Sequence, residues 1–241
     1  MSRNPTDGIP PQAEKLPLHN RVLYADNHLI AINKLPGEIV QGDKTGDEPL
    51  SESVAAYLKV LMNKPGDAFI GVIHRIDRPV SGLVLFARTG KGLSRLNAQF
   101  RDRKVKKTYY AVVEGKVDQT EAVLIDYLMK NEATNTSRVV AESKTGALRC
   151  ELSFRVLEVF DRYTLLEINP VTGRHHQIRV QLSSAGWPIK GDVKYGARRG
   201  NKDKSICLHA RSLLFEKATV PEQVLVTAPL PGTPDWLGLR Y

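Results

Sequence analysis

Apolar and polar residues alternate, or form short apolar blocks, along most of this 241-residue chain. Such segments are typical of β-strands, because successive side chains of a strand point to opposite faces and a strand buried on both faces is apolar throughout. The pattern predicts six strands separated by polar turns. They cover residues 21–25, 28–33, 83–87, 108–113, 148–159 and 163–168.

Three other segments place apolar residues at the spacing of one helical face. The predicted helices and their N-terminal caps are residues 50–63 with Ser51, residues 89–101 with Thr89, and a helix that follows Thr172 and stops before Gly186. Residues 1–19 contain four prolines without periodicity and are expected to form a flexible arm. Residues 20–241 are therefore predicted to form a single α+β domain, with a large, mainly antiparallel mixed sheet flanked by helices.

The composition restricts the partner and the compartment. Lysine and arginine number 35 against 26 acidic residues, and the net charge of +9 favours a polyanionic partner such as nucleic acid. We find neither the apolar core of a signal peptide nor an apolar segment of roughly 20 residues, so we expect a cytoplasmic protein without membrane contact. The two cysteines, Cys150 and Cys207, are too few for a disulfide framework and are predicted to be buried free thiols.

The first segment with candidate chemistry is HRIDRPVSGL, residues 74–83. Its carboxylate, Asp77, lies between Arg75 and Arg78, and nearby positive charge favours the ionised form of an aspartate. An ionised aspartate can act as a nucleophile, and the apolar run that follows predicts a loop leading into a buried strand. From these residues alone, a surface turn with a local ion pair is equally open.

The second segment is VTGRHHQIRVQLSSAGWPIKGDVKYG, residues 171–196. Helical spacing would direct Ile178 and Leu182 into the core and place four polar side chains on neighbouring faces, namely His175, His176, Arg179 and Ser183. A zinc site normally takes three or four ligands, so two adjacent histidines do not predict a metal. The helix N-terminus near Arg174 could bind a phosphate or a carboxylate, although a capped amphipathic helix explains the same pattern.

Between these segments, five cations precede the aromatic pair Tyr109 and Tyr110. They are Arg101, Arg103, Lys104, Lys106 and Lys107. Such a run can be a solvated face, and it is also suited to following a phosphate backbone and stacking a base. Alternation along a strand would turn one tyrosine to the core and the other away, and the spacing does not say which.

Together and in this order, the three segments resemble the RluA-type family of pseudouridine synthases, whose first motif reads H-R-[LI]-D followed by S-G-L. The resemblance covers about residues 20–230 and implies the pseudouridine synthase fold. It implies isomerisation of specific uridines in ribosomal or transfer RNA by an aspartate, without a cofactor or a metal. We expect a monomer without the S4-type N-terminal domain of many relatives, because about 20 residues precede the first predicted strand.

The resemblance also implies roles for individual residues. Asp77 corresponds to the catalytic aspartate, Tyr109 to the active-site tyrosine and Arg179 to the basic partner of the aspartate. Val80 stands where the family often has threonine. Ile76 and Ile178 would wall the pocket, and Arg75 could act near the displaced base. The full set of expected substrate-binding residues is His74, Arg75, Ile76, Lys104, Lys106, Lys107, Arg174, His176 and Ile178.

Two other functions use the same features. A non-catalytic RNA-binding or ribosome-assembly module would need the basic surface and no competent pocket. A glycosidase-like hydrolase also attacks an anomeric carbon with a carboxylate, but such enzymes normally need two carboxylates. We expect no second acidic residue in the three motifs, which disfavours the hydrolase.

Overall fold

The structure is a computed structural model that describes Glu14, residues 16–63 and residues 65–236. Most of the predicted arm, residues 1–19, therefore lies outside the described residues. Contacts divide the chain into two compact units. The first unit comprises Met1–Val105 and Ser212–Pro229, and the second comprises Lys106–Arg211 and Leu230–Tyr241. The single domain expected over residues 20–241 stays a prediction.

Strands dominate both units. In the described residues the strands are β1 (Val22–Ala25), β2 (Leu29–Lys34), β3 (Gly71–Val72), β4 (Ser81–Ala87), β5 (Lys106–Glu114), β6 (Glu121–Asn131), β7 (Thr136–Val140), β8 (Leu148–Val159), β9 (Tyr163–Pro170), β10 (Leu208–Glu216) and β11 (Gln223–Thr227). The helices are α1 (Leu50–Leu61), α2 (Gly90–Arg101) and α3 (Gln177–Ser184), with short 3-10 helices at His19–Arg21 and Val193–Tyr195. The α+β class is confirmed, and no described helix is long and apolar enough to cross a membrane.

In the first unit, β2 lies between β1 and β4 in antiparallel pairing, and β3 pairs with the end of β4. All seven residues of β4 are buried, which explains its uninterrupted apolar sequence. Helix α2 covers this region through Leu96, which is fully buried in one cluster with Leu29 and Leu83. Its predicted cap is confirmed, because the Thr89 hydroxyl accepts a hydrogen bond from Gly92 N at 3.1 Å.

Helix α1 is also confirmed, but its predicted cap is wrong. Ser51 lies inside the helix, and Pro49 occupies the N-cap position without a side-chain hydrogen bond. The loop before the helix supplies the missing acceptors, since Leu50 N donates to Ile39 O at 2.8 Å and Ser51 N to Val40 O at 3.2 Å. Backbone carbonyls thus satisfy amides that a capping side chain would otherwise bind.

In the second unit, five strands form an antiparallel array in the order β5-β9-β8-β6-β7. Helix α3 packs on this array, with Val180 in a buried cluster beside Leu128 and Cys150. Both cysteines are buried free thiols, as predicted, and burial raises the pKa of Cys150 and of Cys207 to about 11. The array therefore gives α3 and the loop before it a rigid support.

Candidate active site

Asp77 lies in the loop between β3 and β4 of the first unit, and its side chain is half-buried. Its carbonyl oxygen accepts a hydrogen bond from Val80 N at 3.0 Å, which closes a tight turn immediately before β4. Ile76 and Val80 are buried on either side, with 8% and 2% of their surface exposed, whereas Arg75 is exposed. The buried neighbours hold the backbone at Asp77, so the sequence-based expectation of a loop leading into a buried strand is confirmed.

Lys34, at the end of β2, is the main support of this turn, and the sequence analysis missed it. The side chain is fully buried, and its ammonium donates to Val80 O at 2.7 Å, Leu35 O at 2.9 Å and Arg78 O at 3.1 Å. Burial lowers the pKa of Lys34 to about 7, and the negative charges of Glu38 and Asp77 oppose that shift. The lysine therefore ties Arg78 and Val80, two residues of the Asp77–Val80 turn, to the end of β2.

The neighbouring residues of the first motif hold the loop in other ways. The Arg78 guanidinium donates to Gly37 O at 2.9 Å and pairs with Asp47. The His74 ring stacks on Phe100 with centroids 5.0 Å apart, and its Nε2 accepts a hydrogen bond from Leu85 N at 3.0 Å. Through these contacts, His74 and Arg78 stabilise the structure of the first unit. The substrate-binding role expected for His74 stays a prediction.

In the second unit, Tyr109 lies on β5 in register with Ile168 of β9 and is half-buried, as is Tyr110. Alternation places Lys107 on the same face as Tyr109, and the Lys107 ammonium donates to Thr172 O at 3.1 Å. Lys106 is exposed on the opposite face. Lys107 therefore joins the tyrosine-bearing strand to the loop that precedes α3.

The start of α3 differs from the prediction, because the helix begins at Gln177 and not after Thr172. The Thr172 hydroxyl accepts from Glu151 N at 2.9 Å and donates to Gln177 Oε1 at 2.7 Å, so it does not cap the helix. The N-cap residue is His176, in the left-handed region with a φ of 53°. Arg174, His175 and His176 consequently lie in the preceding loop, and helical spacing does not apply to them.

Arg179 is fixed by an acidic residue that the sequence analysis missed. Its Nε lies 2.7 Å from Asp192 Oδ2 and its Nη2 lies 2.8 Å from Asp192 Oδ1, with side chains only 5% and 1% exposed. Such a bidentate pair sets the plane of the guanidinium as well as its position. Ile178 is 8% exposed and Leu182 fully buried, as helical spacing predicted.

The expectation of no second acidic residue in the motifs is wrong, because Asp192 lies within residues 171–196 and Glu114 follows the aromatic pair on β5. In the sequence, the one feature that marks Asp192 is its position directly after Gly191. Because both oxygens of Asp192 accept hydrogen bonds from Arg179, its carboxylate is an ion-pair partner and is poorly suited to deliver a proton. The hydrolase alternative therefore gains no support from this residue.

Tyr195 completes the arrangement around Arg179. The guanidinium carbon of Arg179 lies 4.9 Å from the centroid of the Tyr195 ring, within the range of a cation–π contact. The Tyr195 hydroxyl accepts from Ser137 N at 2.8 Å and lies 2.7 Å from His176 Nδ1. The rings of His175 and His176 stack with centroids 3.7 Å apart. Asp192 thus fixes the plane of the Arg179 guanidinium, and the Tyr195 ring lies against it.

Comparison with known proteins places these motifs in a family. A family model described as RNA pseudouridylate synthase matches residues 28–184. The ribosomal large subunit pseudouridine synthases C of Vibrio parahaemolyticus and Vibrio cholerae are 34% and 36% identical to this chain over 219 residues. Each alignment covers 88% of this chain and 66% of the relative, so the chain spans just under two thirds of their length.

Two solved structures share the fold. Human RNA Pseudouridylate Synthase Domain Containing 4 has a TM-score of 0.75 and 23% identity, with 89% of this chain and 90% of that chain covered. Human RNA Pseudouridylate Synthase Domain Containing 1 has a TM-score of 0.72 and 24% identity, with 94% and 88% covered. The matched family model extends over more than half of the sequence and includes Asp77, Tyr109 and Arg179. The chain therefore belongs to the RNA pseudouridylate synthase family.

Proposed function

We propose that this protein converts uridines in RNA to pseudouridine and that Asp77 is the catalytic residue. The observation that carries the proposal is the placement of Asp77 in a tight turn with buried neighbours, within a motif of the family to which the chain belongs. A carboxylate held by its backbone in this way meets a main requirement of catalysis, which is a reactive group presented in one geometry.

The proposed reaction breaks the bond between uracil N1 and ribose C1′ and forms a bond between uracil C5 and C1′. The C5 proton is released, and N1 gains a proton. Asp77 either attacks C1′ as a nucleophile or removes a ribose proton to give a glycal, and both routes need the ionised carboxylate. The reaction is an isomerisation that consumes no redox equivalent, so we propose that it needs no cofactor.

We further propose that Tyr109 stacks on the uracil ring and that Arg179 is the basic residue of the active site. The support for Arg179 is its burial against Asp192, because a buried guanidinium with a fixed plane can present its donors without further ordering. Arg75, which is exposed beside Asp77, is proposed to occupy the space that a uridine leaves when it is turned out of an RNA helix.

As substrate we propose the RNA of the large ribosomal subunit. The support is the similarity to the Vibrio relatives, which are ribosomal large subunit pseudouridine synthases. The net charge of +9 agrees with a polyanionic substrate. Pseudouridine mapping in RNA from cells with and without this protein tests the target: loss of a site in large-subunit RNA supports the proposal, and loss confined to transfer RNA overturns it.

The activity itself is tested with purified protein and large-subunit RNA transcribed with tritium at uridine C5. We expect tritium release, together with an equal amount of pseudouridine in the digested RNA. Binding without tritium release would indicate a non-catalytic RNA-binding module instead. Release of free uracil would indicate a hydrolase, and either result would overturn the proposed isomerisation.

A further inference from the structure

A second basic surface begins at the end of the segment that contains Arg179 and extends mostly beyond it. We propose that residues 193–204 of the second unit, here called the basic loop, bind the phosphate backbone of the substrate RNA next to Arg179. This inference rests on the proposed function, because it takes RNA as the substrate. It adds an interaction surface whose residues 197–204 belong neither to the motifs nor to the basic run before Tyr109.

The charge of the basic loop is strongly one-sided. One acidic residue, Asp203, stands among five cations, and all of the cations are exposed: Lys194, Arg198, Arg199, Lys202 and Lys204. Asp203 is engaged within the loop, since its Oδ1 accepts from Ser205 N at 3.0 Å and from Ser205 Oγ at 2.6 Å. Five exposed cations against one exposed carboxylate leave the surface of the loop with an excess of positive charge.

These cations differ from other basic residues of the second unit in their lack of close acidic partners. Arg149 pairs with Glu151 at 2.8 Å, and Lys130 pairs with Glu132 at 2.6 Å. In the basic loop, Arg198 Nε lies 4.0 Å from Glu114 Oε2, and the Arg198 side chain remains 92% exposed. In the described part of the chain, no carboxylate pairs with Arg199, Lys202 or Lys204. Such cations can bind phosphates without first breaking an ion pair.

The basic loop is anchored at both ends by buried groups. At its start, Tyr195 N and Ala197 N donate to Asp192 O at 3.0 and 3.1 Å. At its end, the Asn201 side-chain amide donates to Ser205 Oγ at 3.2 Å, and Ser205 is buried. An anchored loop has less conformational freedom to lose when it binds, so more of its charge interaction appears as affinity.

The position of the anchor connects the loop to the proposed reaction. Asp192, directly before the loop, is the residue that holds Arg179. Arg198 is six residues further on, so its backbone lies within about 21 Å of Asp192, the greatest distance that six residues can span. Tyr195, which belongs to the loop, lies against the Arg179 guanidinium with its ring centroid 4.9 Å from the guanidinium carbon. The loop is thus placed to hold the strand that carries the target uridine.

The test is the salt dependence of RNA binding, measured by fluorescence anisotropy with a labelled RNA hairpin that has a uridine-rich loop. The loop variant combines Arg198→Ala, Arg199→Ala, Lys202→Ala and Lys204→Ala. Affinity falls as salt rises, and the steepness of log affinity against log salt is here called the salt slope. Each lost phosphate contact reduces this steepness by about 0.7 to 0.9. We therefore expect the slope to fall by about 2 or more.

A matched control removes four exposed cations elsewhere in the second unit, by Lys116→Ala, Lys130→Ala, Lys144→Ala and Arg162→Ala. It changes the net charge equally, so we expect its slope to fall by less than about 1. Equal slopes for the loop variant and the control, with unchanged melting temperatures, would overturn the proposal. If wild type isomerises uridine and the loop variant binds RNA like wild type, only the proposed role of the basic loop is refuted. Absence of isomerisation by wild type would refute the proposed function.

Discussion

Replacement of Lys34 by methionine tests how the turn that carries Asp77 is held. Methionine keeps the length and the apolar contacts of the lysine stem but removes the ammonium. Arg78 O retains a hydrogen bond from Gly37 N at 2.8 Å, whereas Leu35 O and Val80 O lose the Lys34 donor. An unsatisfied buried acceptor costs about 1–3 kcal/mol, so the segment around Asp77 loses a substantial local restraint.

The same substitution has a pH signature. Burial lowers the pKa of Lys34 from 10.5 to about 7 in the folded protein. Between these values the unfolded chain binds more protons than the folded chain, so the free energy of unfolding rises with pH. The limiting slope is about 1.36 kcal/mol per pH unit, and the rise from pH 7 to pH 9 is about 2 kcal/mol. Below pH 7 the lysine is charged in both states and contributes little slope.

Denaturant unfolding of wild type and Lys34→Met at pH 7, 8 and 9 measures this contribution. We expect the stability difference, wild type minus variant, to increase by about 2 kcal/mol over this range, because methionine does not titrate. Lys59→Met is the matched control, since Lys59 is 45% exposed in its ion pair with Asp67, and its difference should stay nearly constant. A constant difference for Lys34→Met would refute the reasoning.

Three further predictions concern Arg75, Asp192 and the basic run before Tyr109. Arg75→Ala should lower the rate of isomerisation on structured RNA by about tenfold or more, and less on unstructured RNA; equal rates on structured RNA would contradict the role. Asp192→Asn should lower the free energy of unfolding by about 3–5 kcal/mol, because it leaves a buried guanidinium without its counter-charge. A loss below about 1 kcal/mol would contradict that reading. Combined Lys104→Ala, Lys106→Ala and Lys107→Ala should lower the salt slope of RNA binding by about 2, and an unchanged slope would exclude these residues from the interface.

Features set by local chemistry could be predicted from the sequence. Residues of β2 and β4 are apolar because both strands are buried, and that pattern is visible without knowledge of their neighbours. Thr89 caps α2 because the acceptor and the amide that it binds are three residues apart. The same holds for Ile178 and Leu182, whose burial follows from helical spacing.

Features set by contacts between distant residues could not be predicted. Lys34 and Val80 are 46 positions apart, and nothing in the local pattern of a lysine after an apolar strand indicates three carbonyl acceptors. The local pattern predicts too early a start for α3, because the Thr172 hydroxyl accepts a hydrogen bond from Glu151 N, which belongs to β8 and is 21 positions away. The local pattern around Asp192 does not indicate its ion pair, because the pairing with Arg179 depends on the chain returning after α3.

The most direct test of the account is the rate of pseudouridine formation by Asp77→Asn under single-turnover conditions. Asparagine has nearly the shape of aspartate but no charge, so it should preserve the turn while removing the group that acts on C1′. We predict wild-type RNA affinity and melting temperature, with tritium release from C5-labelled RNA slowed by at least about 10²-fold. Tritium release at the wild-type rate by Asp77→Asn would contradict the central claim.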